Sequence, residues 1–104
     1  MNVTKDSEKL LVTTYKIYIE RRKSGIKKDD AKHFEFNFYL NDKYLSKWIR
    51  EDVVSCLRKL VNKNLIWFSL SKDFVLNDDA IILMENRFKD GVKEIKEWLS
   101  LLIP

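Results

Sequence analysis

The chain carries one histidine, His33, and one cysteine, Cys56. A histidine titrates near neutral pH and can act as a base or a metal ligand. A cysteine becomes a nucleophile when a cation or base holds it as thiolate. A zinc site of the usual kind needs three or four His, Cys or carboxylate ligands at defined spacing, and no such spacing occurs. A Gly-rich phosphate loop and a Gly-x-Ser-x-Gly elbow are also missing. His33, next to Phe34, fits a partly exposed position at the boundary of an element. Cys56, beside Val53, Leu57 and Leu60, fits apolar filling of a helix face. Three carboxylate pairs remain, Asp29-Asp30, Glu51-Asp52 and Asp78-Asp79. Each stands where a helix is expected to begin, and negative charge there complements the helix dipole without acid–base work. The expectation is a non-enzymatic protein with no catalytic residues, cofactor, metal or small-molecule substrate.

The basic residues carry a different chemistry. Twenty Lys and Arg against 16 Asp and Glu give a net charge of +4, and the pI is near 9.2. That excess suits nucleic acid or an acidic partner. Phosphates are held by Lys, Arg and polar side chains, and base edges are read by side chains at the start of a recognition helix. On a helix from Arg50 to Lys63 the outward set includes Ser55, Arg58, Lys59 and Asn62, with Lys72 at the tip of a following hairpin. Glu51 and Asp52 enter the same helix and repel phosphate, and Asp73 stands beside Lys72. The densest basic cluster is "RRKSGIKK", where Arg21, Arg22, Lys23, Lys27 and Lys28 could supplement phosphate binding. Cations at a helix end also favour the negative pole of its dipole, so the cluster reads first as a solvated helix end.

These side chains need elements to place them. A chain of 104 residues is expected to form a single domain, 1–104, able to bury a core without disulfide or metal. Two Gly and one Pro are too few for an all-β fold rich in turns and favour helices with short connections. From Asp6 to about Lys23, Leu10, Leu11, Thr14, Tyr15, Tyr18 and Ile19 recur at helical spacing, and Gly25 supplies a stop. "KKDDAKHF" predicts a short helix, and "FEFNFYL" alternates like an extended piece. Asn41 and Asp42 are expected to cap another short helix through Trp48. Val53, Val54, Leu57, Leu60 and Val61 make one stripe of an amphipathic helix from Arg50 to Asn64. Ile66, Phe68 and Leu70 alternate with Trp67 and Ser69, and Phe74-Val75-Leu76 follows a polar break, predicting a hairpin. Trp67, facing outward with Trp48 nearby, would suit a protein partner.

Asn77 is expected to cap one long last helix from Asp78 to about Ile103. Ile81, Phe88, Ile95 and Leu102 lie seven apart, with Met84, Val92, Trp98 and Leu99 widening the stripe. Such a helix spans about 35–40 Å at 1.5 Å per residue, so something must cover its far end. Either the first helix does so or a second copy does, in a homodimer through Phe88, Val92, Ile95, Trp98, Leu99 and Leu102. Gly91 on the apolar side predicts a close crossing or a slight bend. The N-terminus has no apolar signal core, and no apolar run approaches the roughly 20 residues that span a bilayer, so the expected location is the cytoplasm and no membrane is involved.

The order of helix, short helix, recognition-like helix, hairpin and long helix resembles the winged-helix superfamily. "VVSCLRKLVNKNLIWFSLSKDFVLNDDAIILMENRF" looks like its core pattern, with "NLI" leaving the recognition helix and "VLNDDAI" entering the last one. "DDAIILMENRFKDGVKEIKEWLS" is similar to the C-terminal segment of small proteins of Gram-positive bacteria and their phages, the YjcQ-like winged-helix proteins. The resemblance spans roughly residues 40–103. It implies a mainly α fold with a small β-hairpin (α+β), winged helix-turn-helix-like with a long C-terminal helix, often dimeric. It also implies double-stranded DNA as partner and a role in transcriptional regulation of bacterial or phage origin. The competing expectation is a protein-interaction or homodimeric adaptor that keeps the winged-helix shape without binding DNA.

Overall fold

The computed structural model describes residues 4–69 and 73–102, with the side chain of Leu102 excepted. Helix α1, Lys5–Lys23, begins at Thr4, whose Oγ1 accepts the Ser7 N–H at 3.3 Å. It ends where Gly25 turns to φ 91°. There the Gly25 N–H donates to the Arg22 carbonyl and the Ile26 N–H to the Arg21 carbonyl, so two orphan acceptors are satisfied. Every residue from Leu10 to Lys16 is buried. A helix covered all round is a central helix, not the one-striped surface helix that its spacing predicts. Four other helices, introduced below as α2 to α5, pack against it. Even Lys16 is buried along its stem, with Nζ reaching Glu20 Oε1 at 2.8 Å.

The next segment departs from the extended reading. Helix α2, Lys28–Ala31, is followed by a two-residue strand β1, His33–Phe34, and then by a 3-10 helix, Phe36–Asn41. Aromatic–polar alternation would place Phe34, Phe36 and Phe38 on one face of a strand. The helical turn instead brings Phe38 back onto Phe34 and onto Phe74, with ring centroids 5.4 and 5.3 Å apart, while Phe34 and Phe74 stack at 5.2 Å. Packing has overridden local alternation. The short helix expected through Trp48 is likewise only a turn. Asp42 does cap it, its Oδ2 accepting the N–H groups of Tyr44 and Leu45 at 2.8 and 3.1 Å. Asn41 belongs to the preceding 3-10 helix and takes no part in that cap.

Helix α3, Arg50–Asn62, buries Val53, Cys56, Leu57 and Leu60 against α1 and the sheet. It stops through the same two-bond device as α1, with Asn64 at φ 59° in place of glycine. The Asn64 N–H donates to the Val61 carbonyl and the Leu65 N–H to the Leu60 carbonyl. This aims the chain directly into strand β2, Ile66–Phe68, which pairs antiparallel with β3, Phe74–Leu76. Strand β1 adds to the other side of β3, giving a three-stranded sheet in the order β1-β3-β2. Its inner face carries Phe34, Phe74, Ile66 and Leu76, all buried. The outer face is the cross-strand row His33, Val75 and Trp67. The expected hairpin is present; its tip, with Lys72, lies outside the described residues.

The single long last helix is corrected to two. Helix α4, Asp78–Arg87, ends before Phe88, and α5, Val92–Leu102, starts anew. Gly91 stands between them at φ 72°, a left-handed conformation that interrupts a right-handed helix. A Cβ at Gly91 would meet nothing within 4 Å, so this glycine serves the break and not a close crossing. Breaking the helix folds Phe88, Ile95 and Leu99 into the chain's own core, and α1 is what covers α5. The Arg87 guanidinium fixes the junction, donating to Glu8 Oε1 at 2.6 Å and lying 5.0 and 4.9 Å from the Phe88 and Trp98 rings. Asn77 holds the N-cap position of α4, but its side chain does not cap. It donates instead to the Asn64 carbonyl at 2.8 Å, tying the α3 exit to the α4 entry. Among the described residues no helix is long and apolar enough to cross a membrane.

Candidate nucleic-acid interface

The outward face of α3 follows from the burial of Val53, Leu57 and Leu60, which leaves Ser55, Arg58, Lys59 and Asn62 exposed on one side. None of these four side chains makes a hydrogen bond or an ion pair with another described residue. The structure therefore brings the predicted helix set together and leaves its donors unspent. Arg50, at the start of the face, lies over the Phe36 ring at 4.8 Å. Glu51 and Asp52 are exposed in the first turn, as expected for carboxylates at a positive helix end. Cations thus concentrate on the C-terminal half of the helix, where Lys63 at the C-cap joins Arg58 and Lys59. Lys63 was not singled out from the sequence; its place one residue beyond the last helical turn is the signal that points to it.

The basic cluster after α1 has a different fate. Arg21 is half-buried, its Nη1 donating to the carbonyls of Ala31 and His33 at 3.2 and 2.6 Å and its guanidinium 4.5 Å from the Phe34 ring. Burial pushes its pKa below the ordinary arginine value, partly opposed by Glu35. Arg21 is thus a structural tie between α1 and the segment that carries β1, with Nη1 spent on carbonyls. Arg22 donates to the Ile26 carbonyl at 3.2 Å. Lys27 faces Asp30 at 4.0 Å, and Lys28 faces Asp78 at 3.5 Å, a carboxylate shared with Lys32. Lys32, the first cause, and Lys28 hold the Asp78 pKa below the usual carboxylate range. These exposed pairs are individually weak, so they reduce the availability of Lys27 and Lys28 without abolishing it. Lys23 is exposed and makes no ion pair among the described residues.

The groups weighed for catalysis sit in ordinary surroundings. Cys56 is buried, and burial raises its thiol pKa, opposed by a hydrogen bond from Ser7. His33 is exposed at the start of β1, with Nε2 3.5 Å from Asp73 Oδ2. Among the described residues no cluster of three His, Cys, Asp or Glu could hold a metal ion. A cleft between α1 and the 3-10 helix is lined by Ile17, Phe38, Arg21 and Asp42 among others. Two of its polar groups are engaged, Arg21 by carbonyls and Asp42 by backbone N–H groups, and Asp30, His33 and Glu35 also line it. Of the residues expected at a dimer seam, Phe88, Ile95 and Leu99 are internal, Val92 and Trp98 are half-buried, and Leu102 lies on α5. Trp67 faces outward from the sheet at 62% exposure, while Trp48 is half-buried. Comparison of the chain with protein-family models, with curated proteins and with solved structures returns no match.

Proposed function

We propose that this chain is a non-enzymatic nucleic-acid-binding protein of winged-helix type, serving transcriptional regulation and contacting double-stranded DNA through the exposed face of α3. The observation that carries the reading is the row Ser55, Arg58, Lys59 and Asn62, exposed, with side chains that make no hydrogen bond or ion pair among the described residues. Holding cations apart from nearby carboxylates gives up their pairing energy, and a polyanion restores it. The α3 helix running directly into a β2–β3 hairpin supports the winged-helix assignment. The carboxylates of Glu51 and Asp52 argue for contacts to the phosphate backbone over base reading.

The homodimeric adaptor has less support, because Phe88, Ile95 and Leu99, which it requires at its surface, are buried within the chain. The two readings separate in a low-salt binding assay with random duplex DNA, run beside light scattering. Binding that is lost when Arg58 and Lys59 become Glu supports the proposal. A folded protein that binds no duplex at low salt refutes it.

A further inference from the structure

Trp67 places an indole in an unusual position. It lies on the outer face of β2, 62% exposed, opposite Val75, while the chain's other two indoles, Trp48 and Trp98, are half-buried. The strand that carries it begins two residues after Asn64, where α3 is turned into the sheet. Lys63 and Trp67 are four positions apart, which bounds their Cα separation at about 14 Å for a fully extended chain. The cations of α3 gather towards this same end, away from Glu51 and Asp52. Asp73 lies beside the outer row, its Oδ2 3.5 Å from His33 Nε2.

Positive charge beside an open aromatic face is complementary to one kind of nucleic-acid feature. A duplex offers its grooves only base edges and its flanks only phosphate, so an indole on a strand has no ring to stack on. An unpaired base offers a π-face, and stacking on an exposed aromatic with phosphates on nearby cations is how single strands are held. Building on the proposed function, we infer that this chain also binds an unpaired nucleotide, with its base stacked on Trp67 and adjacent phosphates on Lys63, Lys59 and Arg58. The ligand class is single-stranded nucleic acid, or a duplex with an unpaired base.

The test compares an oligothymidylate of about 12 nucleotides, within the usual range of single-strand site sizes, with a long linear duplex whose ends are a negligible share of sites. Trp67→Ala should weaken oligothymidylate binding by about 5- to 150-fold, the range for losing one base–aromatic stack, and leave duplex affinity within about twofold. Trp67→Phe should keep most of the affinity, because a phenyl ring also has a π-face. It should abolish the quenching of tryptophan emission that the wild type shows on binding. Trp67 is exposed, so both variants are expected to fold. Unchanged oligothymidylate affinity in Trp67→Ala, with binding still lost in the Arg58→Glu, Lys59→Glu protein, overturns this inference and leaves the proposed function standing. Equal losses on both ligands overturn the preference for an unpaired base. A wild type that binds neither ligand at low salt overturns both readings and leaves the indole to a protein partner.

Discussion

The Arg21 guanidinium donates to the His33 main-chain carbonyl at 2.6 Å and, through the same nitrogen, to Ala31 at 3.2 Å. A residue from the densest basic run in the sequence is thereby built into the fold, bracing α1 against the strand that edges the sheet. Its replacement by Ala should cost about 1.5–3 kcal/mol, the range for hydrogen bonds from a charged donor. Duplex affinity at low salt should change little. Lysine should not rescue, since it lacks the planar fork and the stacking surface that meets Phe34. Denaturant unfolding and a binding titration on the same samples check both halves.

The Arg58→Glu, Lys59→Glu protein should behave oppositely. Both side chains are exposed and make no ion pair among the described residues, so stability should stay within about 0.5 kcal/mol of the wild type. Duplex binding should disappear at low salt. Replacing either residue singly by Ala should flatten the slope of log K against log salt by about one unit. A double mutant that retains wild-type affinity removes α3 from the interface.

Tyr15 supplies a pH dependence. Burial, with a further contribution from Glu85, pushes its pKa up from 10.0 to about 12. The neutral phenol is therefore favoured in the folded chain, and the unfolded chain loses its proton first. Stability from this group is complete below pH 10 and falls as pH rises from 10 towards 12. Tyr15→Phe should lose less stability over that interval than the wild type, in unfolding curves recorded at pH 9 and pH 11.5, values chosen on either side of the ordinary tyrosine pKa of about 10. Parallel losses in the two proteins would refute the assignment.

Gly91→Ala tests the break between α4 and α5. With φ at 72°, a Cβ is strained whatever space surrounds it. The variant should be less stable by about 1–2 kcal/mol, the cost of a left-handed non-glycine residue. A more stable variant would mean that the chain prefers the continuous helix.

The pattern of what was legible in the sequence has physical causes. The end of helix α1 was readable because Gly25 acts locally, through one permissive φ, whereas the Thr4 cap at its start was not picked out. The β2–β3 hairpin was readable because alternation and the polar break lie within one short stretch. The 3-10 helix over Phe36–Asn41 was not, since it depends on Phe38 reaching Phe74, a contact distant in sequence. The break at Gly91 was underestimated as a bend, because the heptad spacing of Phe88 and Ile95 is equally satisfied by two helices lying on α1. In the candidate interface the α3 face was legible from helical periodicity alone. The structural role of Arg21 was not, since no local rule says that a guanidinium will find the carbonyls of Ala31 in α2 and His33 in β1.

The burial of α1 on every side sets an order of events during synthesis. Leu10, Leu11 and Tyr15 are made before α5, the last described helix, which is one of the elements that cover them. Contacts between such distant segments form slowly. Removing α5 would leave α1 uncovered along one side, a lesion of assembly and not merely of length.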